Sequence, residues 1–300
     1  MLKQIERVQE GYIPVTGGLV WYKVINPSNA IPLLILHGGP GFPHDYLEPL
    51  EALADQHPII FYDQLGCGKS ERPDDRTLWQ TNRFVEELSQ VRKTLKLEQV
   101  HLFGHSWGSM LAVDYALTKP DGLMSLLLAS PPLSIPRWLK DMEDYRSSLP
   151  IEVQQVLHEH ETNGTTDLEE YQVAAMEFYR RYLCRLNPWP EPLERASAGE
   201  GAVVYNTMWG PAEFFMTGNL LNYDRTARLG EIDIPTLFTC GSYDEATPGA
   251  TAWYQSLLPQ SELVVFERSA HHPQLEETED YLQTLRNFLS QVEKRLSAVK

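Results

Sequence analysis

Cysteine is scarce in this 300-residue chain, and the three present, Cys67, Cys184 and Cys240, lie far apart and are odd in number. That excludes a disulfide framework and favours a reducing cytoplasm, with each thiol read as a small buried hydrophobe. Positive charge is also short: 25 Lys and Arg against 41 Asp and Glu leave a net charge of −16. Such a surface argues against nucleic-acid binding by phosphate neutralisation and weakly favours cationic over anionic substrates. No apolar run approaches the ~20 residues of a membrane span. The opening Met1-Leu2-Lys3-Gln4-Ile5-Glu6-Arg7 has no apolar signal region, so neither a membrane partner nor export is expected. There is no internal repeat and no low-complexity tract.

What is there is a chain long enough to bury a large core, as one α/β domain or as one domain carrying an insertion. Apolar runs at Val20–Val24, Leu33–Leu36, Ile59–Tyr62, Val100–Phe103, Met124–Ala129, Thr236–Cys240 and Leu263–Phe266 read as strands. Between them, Arg83–Leu97 carries Phe84, Val85, Leu88, Val91 and Leu95 on one helical stripe. Tyr281, Leu285, Phe288, Leu289, Val292 and Leu296 form another near the C-terminus. Strands alternating with helices predict an α/β fold, a mostly parallel sheet with helices on both faces. From Leu133 to Arg228 the character changes to Glu, Arg, Tyr and Trp, with a helical patch at Glu169–Leu183 and a break at Asn187-Pro188-Trp189-Pro190. The expected organisation is therefore core over 1–132, a helical cap over 133–228, and core again over 229–300.

Residues 104–108 read Gly-His-Ser-Trp-Gly, a G-x-S-x-G pattern between a strand and a helical segment. A sharp strand-to-helix turn presents Ser106 at the end of the sheet, and the flanking glycines remove side chains that would collide with the crossing backbone. A serine hydroxyl needs a base, and the base needs an acid to orient it. Asp244 follows the strand Thr236–Cys240 and His271 follows Leu263–Phe266, in the chain order Ser, Asp, His that such sheets use. Asp224 and Asp233 compete for the acid without following a buried strand, His272 competes for the base, and His105 reads as structural.

Acyl transfer builds charge on an oxygen that two backbone N–H groups must meet. His37-Gly38-Gly39-Pro40-Gly41 follows the strand Leu33–Leu36. Pro40 has no N–H, so the candidates are Gly38, Gly39 and Gly41, with the N–H of Trp107 as second donor.

His37–Gly41, Gly104–Gly108, Phe84-Val85-Glu86-Glu87-Leu88, and Gly210-Pro211-Ala212-Glu213-Phe214 with Thr217-Gly218 together resemble the proline iminopeptidases. These are α/β-hydrolases with a helical cap that remove N-terminal residues, typically proline, from peptides, and the tricorn-interacting aminopeptidase is similar. The resemblance spans nearly the whole chain. It implies Ser106, Asp244 and His271 as the triad, Gly39 and Trp107 as oxyanion donors, and Glu213 and Glu245 as holders of the substrate's α-ammonium group. Read alone, Glu213 is a first-turn helix acid after Pro211 and Glu245 a solvated side chain. Ser109 departs from the family, which usually has a second glycine there. Trp138, Trp189 and Trp209 fall in the cap and could line a pocket for a proline ring or form its core.

Three other signals fail. Gly68-Lys69-Ser70 lacks the first glycine of a P-loop, His158-Glu159-His160-Glu161 does not complete H-E-x-x-H, and Gly38–Gly41 is no dinucleotide fingerprint. No cofactor and no metal are expected. The expected partners are small peptides or amino-acid amides with a free N-terminus. An amino-acid amidase or carboxylesterase with the same triad is the alternative, and a catalytically silent interaction protein is the rival from another class.

Overall fold

The computed structural model describes residues 7–298. Its centre is an eight-stranded sheet in the order β1-β2-β4-β3-β5-β6-β7-β8. The strands are β1 (Val8–Val15), β2 (Gly18–Ile25), β3 (Leu33–Leu36), β4 (Ile59–Tyr62), β5 (Val100–His105), β6 (Leu123–Ala129), β7 (Thr236–Gly241) and β8 (Ser261–Phe266). β1 and β2 form an antiparallel hairpin, β2 meets β4 antiparallel, and every later pairing is parallel. All residues of β3, β4, β5 and β7 are buried, which explains why these strands are continuous apolar runs rather than alternating ones: helices cover both faces.

The helices are α1 (Thr81–Thr94), α2 (Trp107–Ala116), α3 (Ile135–Ser147), α4 (Ile151–Asn163), α5 (Glu169–Tyr182), α6 (Glu191–Ala198), α7 (Ala202–Met208), α8 (Pro248–Ser256), α9 (Pro273–Glu276) and α10 (Thr278–Ala298). α10 buries Tyr281, Leu285, Phe288, Leu289 and Val292, the stripe expected from spacing, against the face of the sheet that also carries Ile35, Phe61 and Phe103. α3 to α7 all fall between β6 and β7, where the described residues contain no strand, only single antiparallel bridges at Ser134–Asp224 and Ala212–Phe215.

Two readings need correcting. The helix expected over Arg83–Leu97 ends at Thr94, because Lys96 turns to φ 55° and the chain dives toward β5. Leu263–Phe266 is not a core strand: β8 is the sheet edge, only Phe266 of it is buried, and its apolar residues cover the flank of β7. A 3₁₀ helix at His44–Asp55 and the strand β1 had no assigned signal, the first because Pro49 interrupts its pattern.

α2 is the exception to amphipathicity, with nine of its ten residues buried. It lies so close to the strands that a Cβ at Gly104 would stand 2.2 Å from the Gly108 carbonyl oxygen. One at Gly108 would stand 2.2 Å from the Leu36 carbonyl oxygen and 2.8 Å from that of His37. Backbone atoms cannot rotate away, so Gly108→Ala is expected to cost at least ~2 kcal/mol by overpacking. Gly164, at the left-handed end of α4 with φ 67° and nothing within 4 Å of its missing Cβ, provides the control. Gly164→Ala should cost only about 1 kcal/mol of backbone strain. Urea midpoints of the two variants check this, and equal shifts would contradict the close approach.

Candidate active site

Ser106 stands between the last residue of β5 and the first of α2, with φ 53° and ψ −122°. A non-glycine residue with positive φ at this junction is strained, and such strain collects at functional positions. Its N–H donates to the Ala129 carbonyl at 2.9 Å and its carbonyl accepts from the Ser109 hydroxyl at 2.5 Å. Ser109 thus fits the helix–strand contact by placing its buried hydroxyl on the turn itself. The Ser106 side chain is 5 % exposed and its Oγ makes no hydrogen bond among the described residues.

Asp244 and His271 meet beside it. His271 Nδ1 lies 2.7 Å from Asp244 Oδ1. The carboxylate is further held by the Ala246 N–H at 2.7 Å, the Ser130 hydroxyl at 2.6 Å and the Gly241 N–H at 3.2 Å. Ser130, at the end of β6, had no signal in the sequence. His272 has no acid: its Nδ1 faces the Gln274 amide at 3.1 Å, and its Nε2 is buried without a partner. Burial and the neighbouring histidines push its pKa well below the ordinary value, so it is a neutral wall residue stacked on His105. His105 is likewise held neutral by burial, and its ring bridges the Tyr46 hydroxyl at 2.9 Å and the His271 carbonyl at 2.8 Å. The end of α5 docks on both loops, the Tyr182 carbonyl accepting from Glu245 N–H at 3.2 Å and that of Leu183 from His271 N–H at 3.0 Å.

The glycine-rich loop after β3 lies against Ser106: a Cβ at Gly38 would be 3.2 Å from Ser106 Cβ. Of the donors left open by the sequence, the Gly38 N–H is already used, donating to the Tyr46 hydroxyl at 2.8 Å. The Gly39 N–H has no partner among the described residues, and that of Trp107 lies in the first turn of α2, where no intrahelical acceptor exists. A side-chain chain locks the two segments together. The Trp107 indole donates to Gln64 Oε1 at 2.9 Å, and the Gln64 N–H donates to His37 Nε2 at 2.8 Å. Burial lowers the His37 pKa to about 4, which keeps that nitrogen an acceptor.

Glu213 and Glu245 both lie near His271, but only Glu213 lines the cavity at Ser106. Glu245, expected to be solvated when read alone, is 0 % exposed, and neither of its carboxylate oxygens has a hydrogen-bond partner. Its Oε1 lies 3.7 Å from His271 Nε2. Burial raises its pKa well above the ordinary carboxylate range, and the nearby Glu213 and Asp244 charges add to this. Glu213 is not a helix acid. It lies in an irregular turn whose carbonyl is gripped by the Trp138 indole at 2.9 Å and the Trp209 indole at 3.4 Å. Its Oε1 accepts from the Tyr205 hydroxyl at 2.8 Å, its Oε2 has no partner, and burial raises its pKa to about 7. Trp138 and Trp209 are therefore buried core residues that hold the Glu213 turn, and neither lines the cavity at Ser106.

Ser106, Gly39, His271 and Glu213 line one small cavity of about 60 Å³ together with Tyr46 and Tyr205. It opens past Phe42, Leu183, Tyr205 and Glu213 into a groove of about 450 Å³ between α5, α6 and α7, which Trp189 lines. Among the described residues, two clusters have donor atoms within 4.8 Å of one another. His57, His101 and Glu293 sit near the starts of β4 and β5, away from Ser106. In the other, His44 is bonded to Asp63 and the acids Asp45 and Glu48 to Arg195.

Residues 31–278 match the model of the alpha/beta hydrolase fold family. The proline iminopeptidase of Heyndrickxia coagulans is 49 % identical over 285 residues, 94 % of this chain and 99 % of its own. The crystal structure of the proline iminopeptidase from Mycobacterium smegmatis superposes with a TM-score of 0.88 at 35 % identity, covering 96 % of this chain and 100 % of that one. That of VinJ does so at 0.92 and 36 %, covering 95 % and 99 %. With a strand–Ser106–helix turn and an acid-paired His271 at one end of its sheet, the chain belongs to the proline iminopeptidase family of α/β-hydrolases.

Proposed function

We propose that this chain is a serine aminopeptidase that releases an N-terminal residue, preferentially proline, from peptides through an acyl-enzyme. The observation that carries the amine specificity is the pair of carboxylates near His271 with unpartnered buried oxygens, Oε2 of Glu213, which lines the cavity with Ser106, and both oxygens of Glu245. Carboxylate buried without a cation is costly, and a substrate's α-ammonium is the cation that fits. In this reading residues 133–228 form the cap that supplies Glu213 and closes the site.

Ser106 Oγ attacks the scissile carbonyl while His271 Nε2 takes its proton. Asp244 holds Nδ1–H and so fixes the tautomer. The free hydroxyl moves into contact with Nε2 when substrate closes the site, as catalytic hydrogen bonds commonly tighten on binding. The N–H groups of Gly39 and Trp107 receive the developing oxyanion, and His271 then protonates the leaving amine. Water repeats the sequence on the ester. Tyr205, through its hydroxyl on Glu213 Oε1, positions the carboxylate.

The substrates are small peptides or amino-acid amides with a free N-terminus, and the acidic surface, net charge −16, gives nucleic acid nothing to bind. No helix of the described residues is long and apolar enough to cross a membrane. We infer a cytoplasmic location from the three free, buried thiols. A carboxylesterase would use the same Ser106 chemistry, but a neutral ester leaves both carboxylates unpaired.

Ser106→Ala should lower kcat by about 10⁶, and His271→Ala comparably, because triad members act as a unit. A fluorophosphonate should label wild type and not Ser106→Ala. A tenth of wild-type turnover in either variant would contradict the assignment. His272→Gln should keep most activity, since no carboxylate orients that ring.

Glu213→Gln should cost roughly 10²–10³ in kcat/KM for a free-amine substrate, the equivalent of about 3–5 kcal/mol for a stranded buried cation. A neutral acyl ester should be little affected, and N-acetylation should abolish peptide cleavage by wild type. The pH dependence has a defined sign. Below about 7 Glu213 takes up a proton and loses its attraction for ammonium. For the amine substrate kcat/KM should therefore fall more steeply than for the ester as pH drops through that range, and Glu213→Gln should remove the excess. Identical profiles for amine and ester would remove Glu213 from amine recognition.

A further inference from the structure

The groove that continues the catalytic cavity has a one-sided charge. Its charged lining residues are Asp167, Glu200 and Glu213, and no Lys, Arg or His lines it. Glu213 also belongs to the inner cavity, so the acidic character begins where the proposed ammonium site ends and runs outward. The Glu200 carboxylate makes no ion pair and no hydrogen bond among the described residues. Arg72, the cation beside it, spends its guanidinium on main chain: Nη1 donates to the Glu200 carbonyl at 2.9 Å and Nη2 to that of Gly199 at 2.7 Å. Arg72 is not among the groove's lining residues. The unpartnered Glu213 Oε2 is sealed from solvent at the junction, and the remaining walls include Phe42, Tyr179 and Trp189, faces suited to apolar side chains or to cations.

The site proposed above fixes the first residue of a substrate by its amine and its carbonyl. The residues beyond the scissile bond can then extend past Phe42, Leu183, Tyr205 and Glu213, which line both the cavity and the groove. We propose that this groove seats the leaving side of the peptide, and that Glu200, with Asp167 at the rim, makes it select against a free carboxylate and for a cationic side chain at the residue after the cleaved bond. The inference rests on the aminopeptidase reading. In a dipeptide the C-terminal carboxylate lies within one residue, about 3.5 Å, of the scissile nitrogen and enters the acidic groove directly. In a longer peptide or an amide the same position carries a neutral carbonyl. Like charges several ångströms apart in a partly buried site repel enough to shift relative rates by about tenfold. The class of substrate selected is therefore the amide or longer peptide, with lysine or arginine favoured second.

The test measures kcat/KM at pH 7.5 for prolyl-alanine, prolyl-alanine amide and prolyl-lysine amide, with a prolyl anilide as reference. Wild type should cleave the alanine amide about tenfold better than the dipeptide, and the lysine amide better still. Glu200→Gln should shrink both ratios to about threefold or less, and Asp167→Asn should narrow them in the same direction by less. Using ratios within one enzyme cancels any loss of folded protein, and if Glu200→Gln fails to fold, the Asp167→Asn ratios are read instead. Equal cleavage of dipeptide and amide by wild type, or wild-type ratios in the Glu200→Gln protein, would overturn the proposal. Failure of wild type to cleave the anilide would instead count against the aminopeptidase reading itself.

Discussion

The separation between α2 and the strands beneath it governs the geometry of this molecule. With room for no Cβ at Gly104 or Gly108, the helix starts immediately over the end of β5, and the chain turns through Ser106 at φ 53°. Holding a serine there costs on the order of 1–3 kcal/mol, and the near-complete burial of α2 supplies the stabilisation that offsets it. Once that turn is set, other positions follow. β3 runs parallel to and beside β5, so Gly38 and Gly39 in the loop after it arrive next to the serine. The loops after β7 and β8 emerge at the same end because the intervening pairs are all parallel.

A second cost sits on top of the first. Glu213 has its pKa raised to about 7 from 4.5, because burial penalises its charge more than His271 and the Tyr205 hydroxyl relieve it. The folded state therefore binds that proton more tightly than the unfolded chain does. The penalty is absent below about pH 4.5 and complete above about pH 7, where it amounts to roughly 3 kcal/mol. Glu245 is shifted in the same direction, further, and with no hydrogen bond to soften it. A fold that keeps two such groups is less stable than one with glutamines in their places. In the proposed amine site the same desolvation favours a cation that brings its own charge, so instability without substrate and the proposed affinity for it would have one origin.

Much of this was legible in the sequence, for identifiable reasons. The buried parallel strands are unbroken apolar runs, and G-x-S-x-G with a glycine loop after an earlier strand is a backbone requirement written in residue type. Asp244 and His271 were readable because each directly follows such a run. Glu213 and Glu245 were not readable as a site from their own neighbourhoods. One looked like a helix acid and the other like a surface residue, because what buries them is packing between segments distant in sequence: the indole of Trp138 on one, the end of α5 on the other. The same holds for Ser130 on Asp244, a polar contact made across 114 residues. Local pattern carries no record of them. The edge position of β8 was hidden too, since Leu263-Val264-Val265-Phe266 is as apolar as a central strand.

In the proposed reading the sheet loops supply the chemistry and the helices between β6 and β7 the recognition, and the loop after β7 is where they join. Asp244 faces His271 Nδ1 at 2.7 Å while its neighbour Glu245 faces Nε2 at 3.7 Å. Adjacent residues thus address opposite sides of one imidazole, the first belonging to the proposed proton relay and the second to the proposed amine site. The end of α5 holds this loop and the His271 loop through backbone hydrogen bonds, and Tyr145 of α3 donates to the Asp244 carbonyl at 3.1 Å. A displacement of these helices would move the amine site and the base together. A hydrolase built this way can change its substrate by altering the helices that present Glu213 and the groove, but not by loosening them. The contacts proposed to set specificity are the ones that hold His271, the proposed base, beside Ser106.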